Sequence, residues 1–172
     1  MLETLTEWEC IQMTAVQELQ HMLFEELELI VRTTTNLLAK VKREDLEFRP
    51  QPNMRTLREL AEHLAAIPKV DLLILQEHSA EEVRQLEGRF AETDFAQLGA
   101  SMAEGLEPLR QYMAALSEED FLHRKTVPFY LDHGTAQAKW LIEIVTHAQH
   151  HRGQLFTYLK MQSYDVGMFD LY

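Results

Sequence analysis

Apolar side chains recur at helical spacing along most of the chain, and the runs are separated by polar or proline-rich breaks. Leu19, Met22, Leu23, Leu27, Ile30, Val31, Thr34, Leu37 and Leu38 fall on one stripe, which predicts a long first helix ending near residue 40. A shorter helical segment is expected before it, around Leu5 to Val16, with a break near residues 17–20. Residues 43–55 read as a loop, because Arg49-Pro50-Gln51-Pro52-Asn53 cannot continue a helix. Thr56-Leu57-Arg58-Glu59 then has the form of a capping box, so a second helix is predicted from Leu57 to about His78. Pro68 lies inside it and should kink or split it.

Residues 79–92 are charged and polar and carry no predicted element. A third helix is expected from about Asp94 to Leu116 on Phe95, Leu98, Met102, Leu106, Leu109, Met113 and Leu116, weakened by Gly99, Gly105 and Pro108. Residues 117–134 read as a connector with an extended piece at Thr126–Leu131 and a turn at Asp132-His133-Gly134. A fourth helix is predicted from Thr135 to about Gln162, with Trp140, Ile144, Leu155, Tyr158 and Leu159 inward. The last ten residues are apolar enough to pack back on the bundle. Val41–Arg49 loosely echoes Leu116–Arg124, each closing a long helix ahead of another that carries histidine. Two similar hairpins of this kind make an all-α four-helix bundle. No linker divides residues 1–172, so one domain is expected.

Composition narrows the function. Six glycines and five prolines in 172 residues suit long helices. The formal net charge of −12 repels phosphates, so no nucleic-acid partner is expected; Lys40-Val41-Lys42-Arg43 reads as the positive end of a helix. The single cysteine, Cys10, rules out an internal disulfide and multi-cysteine zinc sites, and reads as a small packed residue. The N-terminus lacks a signal-peptide pattern, and no run approaches the roughly 18 apolar residues of a membrane span. A cytoplasmic location and no membrane partner are the expectations. The Glu25-Glu26-Leu27-Glu28 run is expected to be a solvated face.

The candidate chemistry lies in the histidines. His147 and His151 are four residues apart on a predicted helix, which returns the second side chain to within about 40° of the first. Both imidazoles can then reach one metal ion at about 2.0–2.1 Å. The same spacing also occurs on solvated faces and in hydrogen-bonded core pairs, so it leaves both readings open. Glu143, one turn earlier, is a candidate ligand, supporting carboxylate or general base. A third ligand must come from a facing helix. Of His21, His63, His78, His123 and His133, His63 is best placed, among Leu60, Leu64 and Ile67, although a satisfied core histidine is the plainer reading. His150 is about 100° from His151 and should face away.

His147-Ala-Gln-His-His151-Arg-Gly-Gln154 resembles the C-terminal signature of the DinB-like superfamily, a His-x3-His-Arg-Gly-Gln on the last bundle helix. Thr56-Leu57-Arg-Glu-Leu-Ala-Glu-His63 resembles its other marker, and Glu118-Glu119-Asp120-Phe121 is similar to the segment before its last hairpin. The resemblance covers roughly residues 20–162, leaving the N-terminal helical segment as an extra element. It implies a four-helix bundle, usually a homodimer, with His63, His147 and His151 on a divalent ion such as zinc or nickel. Arg152 and Gln154 fall outside the direct stripe of these ligands and read as bundle contacts or as support behind the ligands, and Gly153 reads as a close approach between helices. Members resembling bacillithiol S-transferases or mycothiol-dependent isomerases imply a small-molecule substrate and a low-molecular-weight thiol as cofactor. That thiol would come from outside the chain, with Glu143 as base or ligand and Tyr158 lining the cavity. A non-catalytic metal-binding stress or interaction protein and a metal-dependent hydrolase are the alternatives.

Overall fold

The computed structural model describes residues 13–172; Cys10 and most of the expected Leu5–Val16 segment lie outside them. The first helix, α1 (Ala15–Ala39), begins at Thr14, whose side chain caps Gln17 while Gln17 reaches back to the Thr14 amide. This box sets the start, and the helix runs through residues 17–20 without the expected break. Leu27, Ile30, Val31, Thr34, Leu37 and Leu38 face the core as predicted, whereas Leu19 and Met22 are exposed. The stripe faces the bundle only from Leu23 onward.

Thr56 and Glu59 form the predicted capping box and start α2 (Leu57–Leu75). Pro68 does not split it. Its ring faces Gly105, where an added Cβ would lie 2.8 Å from the Pro68 Cβ, so the glycine makes room for the proline. Residues 79–92 are not a connector. They form α3 (Ala80–Glu92), capped by Ser79 and Glu82 and packed on α2 through Val83 and Phe90. Ser79-Ala-Glu-Glu82 is itself a capping-box signature, and Val83, Leu86 and Phe90 follow at helical spacing.

The third bundle helix is divided into a turn at Phe95–Gln97, α4 (Leu98–Glu104) and α5 (Leu106–Ala114). Pro108 lacks the N–H that would bond the Glu104 carbonyl, which breaks the ladder at Gly105. The same proline is tolerated in the first turn of α5, where its N–H would have no helical partner. Ser117 caps a short α6 (Glu118–His123) within the expected connector. Two strands, β1 (Lys125–Thr126) and β2 (Thr135–Ala136), pair antiparallel, so the extended piece is shorter and earlier than Thr126–Leu131. The last helix is α7 (Gln137–Met161).

These elements form an all-α four-helix bundle. α1 packs on α4 and α7, and α2 packs on α4, α5 and α7. Trp140, Ile144, Leu155, Tyr158 and Leu159 are all buried, as predicted for α7. The C-terminal segment returns to α1 through Asp170, which pairs with Lys40, and through buried Val166. Met168, Phe169 and Tyr172 stay exposed. No helix among the described residues is long and apolar enough to cross a membrane.

Candidate metal centre

α2 and α7 lie side by side in the bundle and carry the histidines on facing sides. His63 Nε2 lies 3.1 Å from His147 Nε2 and 3.1 Å from His151 Nε2. Among the described residues these three form the group whose ligand atoms converge, all within 4.8 Å of one another. Three nitrogens at about 2.0–2.1 Å from one ion, at tetrahedral angles, would stand about 3.3 Å apart. The observed spacing therefore fits a single small divalent ion.

The protonation states fit as well. Burial, reinforced by Arg55 and the neighbouring imidazoles, holds His63 down to about 3. His151 is lowered to about 4, chiefly by burial and against the pull of Gln154, and His147 is lowered mainly by burial. All three imidazoles are neutral near pH 7, the form that binds metal. The His151 Nδ1–H donates to Gln154 Oε1 at 2.7 Å, which leaves its Nε2 lone pair turned toward the other rings. In neutral rings, His63 Nε2 carries at most one proton to share between two neighbours. A cation at the centre would satisfy all three lone pairs at once.

The other histidines are elsewhere. His21 is exposed and pairs with Glu25, His78 bonds Glu82, and His133 bonds Asp132. His123 and His150 are exposed, the latter as expected from its angle on the helix. Glu143 is outside the converging group. It lines a cavity of about 420 Å³ that opens on His63 and His147, and it pairs with Lys139 at 3.3 Å. Tyr158 does not line that cavity. It is buried, donates to the Arg55 carbonyl at 3.1 Å and packs edge-on against Phe48, holding the loop before α2.

Arg152 is a bundle contact: it is buried and donates to Thr33 Oγ1 at 2.7 Å on α1 and to the Leu171 carbonyl at 2.9 Å. Gly153 is not a close approach, since a Cβ there would meet nothing within 4 Å. Two residues that the sequence reading did not single out belong to the site. Arg55 places a positive charge that bears on all three imidazoles. Asp71, 7% exposed, lines the cavity beside Glu143. It lies two turns beyond His63 on α2, and one acidic residue in an apolar helical run was the available signal.

Bundle and site together define a helical protein with a three-histidine group able to hold a metal ion. The profile of the DinB superfamily matches residues 26–155, and the chain belongs to that superfamily. It is similar in structure to a protein assigned to the DinB family from Exiguobacterium sibiricum 255-15, with a TM-score of 0.72 and 28% identity over 94% of this chain and 100% of that one. A DinB-like protein from Bacillus subtilis shares the fold at a TM-score of 0.60 and 18% identity, over 84% of this chain and 94% of that one. No curated protein matches the chain.

Proposed function

We propose that His63, His147 and His151 hold one zinc or nickel ion, and that the protein uses it to transfer a low-molecular-weight thiol to an electrophile. The observation that carries this reading is the 3.1 Å convergence of neutral Nε2 atoms beside an accessible cavity. A divalent ion held by neutral ligands supplies a Lewis acid that acidifies a thiol or polarises a carbonyl. The chain's own groups do the rest. Arg55 adds positive charge that favours an anionic sulfur near the imidazoles. Glu143, lining the cavity one turn before His147, receives the thiol proton as sulfur bonds to carbon and the leaving group departs with its electron pair.

Incubation of the metal-loaded protein with chlorodinitrobenzene and a panel of small thiols tests this. Conjugation is expected above that of a His147→Ala variant, and Glu143→Gln should slow it by about 100-fold. A metal-loaded protein that conjugates none of the thiols faster than His147→Ala would instead favour a metal-binding protein without catalysis.

A further inference from the structure

The cavity beside the histidines has a chemistry of its own. Asp71 projects into it from α2 and is almost wholly buried, and its Oδ2 has no hydrogen-bond partner among the described residues. A buried carboxyl oxygen left unpaired is costly, so its persistence calls for a ligand or a catalytic use. Burial and the nearby Glu143 push this carboxyl up to about 7. Glu87 and Glu143 line the same space; among the described residues no lysine or arginine lines it, and Lys139 pairs with Glu143 from outside at 3.3 Å. Its remaining walls include Trp140, Phe129 and Tyr130. The Tyr130 phenol is raised by burial and by the charges of Asp71 and Glu143, which places it in the same acidic field.

The aromatic residues are held there by the fold. Phe129 and Tyr130 sit on the loop between β1 and β2. Thr126 Oγ1 ties that loop to the Leu75 carbonyl at 3.3 Å and accepts from Gln137 Nε2 at 2.7 Å. Acidic groups and aromatic faces in one recess attract a cation through charge and ring quadrupoles alike, and they repel an anion.

We propose that the Asp71 recess binds a protonated amine, so that the substrate of the three-histidine site carries an ammonium group seated between Asp71, Glu143 and the aromatic rings. This rests on the reading of that site as a small-molecule centre. The ammonium would give Asp71 the partner it lacks, while the reacting end of the same molecule lies toward His63 and His147.

Calorimetric titration of the metal-loaded protein with benzylammonium, benzyl alcohol and benzoate tests the proposal, because the three probes differ in charge at similar size. Benzylammonium should bind at least about tenfold more tightly than either of the others. Asp71→Asn should lose about tenfold in benzylammonium affinity with its metal content unchanged, and Glu143→Gln should lose less. Metal analysis of the same samples separates the two ideas: absence of metal in the wild type sinks the three-histidine reading, not the recess. Equal or tighter binding of benzoate or benzyl alcohol overturns the ammonium site. So does undetectable benzylammonium binding, or unchanged affinity in both variants.

Discussion

At the scale of single residues, Asp71 is the least expected feature. Its carboxyl is raised from an ordinary value of 3.8 to about 7, first by burial and second by Glu143. The folded chain therefore holds a proton there that the unfolded chain releases between these values. Stability is lost as pH rises from about 4 through 7, and the penalty is fully present above that range. Asp71→Asn removes the ionisable group at nearly constant volume. It should stabilise the apo-protein by about 1–3 kcal/mol at pH 8, with the gain shrinking toward pH 4, as read by urea unfolding at several pH values. No gain at alkaline pH would mean the carboxyl is satisfied in solution. A buried carboxyl with an unpartnered oxygen, kept beside the three-histidine group, is the pattern of a functional residue. The histidines were partly legible in the sequence. Helical spacing paired His147 with His151, and the family signature singled out His63. Arg55 was not legible and Asp71 showed only as one acidic residue in an apolar helical run, because their importance comes from neighbours on α7 and across the site, and no local period reveals those.

At the scale of elements, capping chemistry was the most readable signal. Thr56 and Glu59 start α2 as their spacing predicts. The equivalent Ser79 and Glu82 start α3, which the charged composition of residues 79–92 obscured. The apolar positions Val83, Leu86 and Phe90 do keep helical spacing there, but charged neighbours mask them in an average over composition, so spacing and cap together are the better evidence. Glycines show where sequence reasoning misleads. Gly153 lies in the signature motif, yet a Cβ there meets nothing within 4 Å, whereas at Gly105 it meets Pro68 and Lys69 at 2.8 and 2.9 Å. Gly153→Ala should raise stability by about 0.5–1 kcal/mol, since alanine is the better helix former. Gly105→Ala should lower it by about 1–3 kcal/mol through overpacking. Thermal unfolding of the two variants checks both signs, and a destabilised Gly153→Ala would point to a packing role not seen in the fold.

At the scale of the whole molecule, the bundle itself followed from the four apolar runs, while the division of the third helix and the small sheet did not. Those depend on where Pro108 interrupts a ladder and on pairing between residues that are distant along the helical pattern. The exposed C-terminal residues Met168, Phe169 and Tyr172, with Phe169 89% accessible, support the further proposal of a homodimer. Light scattering should then give twice the 20.1 kDa chain mass, and Phe169→Asp should shift it toward the monomer if that face is the interface. The three-histidine group joins α2 to α7, so an ion held there would link two sides of the bundle and stabilise it by mass action. Metal content of the purified protein by elemental analysis is the most direct test. The wild type should hold one zinc or nickel ion per chain, and His63→Ala, His147→Ala and His151→Ala should each lose most of it while keeping their helical circular dichroism. Full metal content in all three folded variants, or none in a wild type supplied with zinc and nickel, would contradict the three-histidine site.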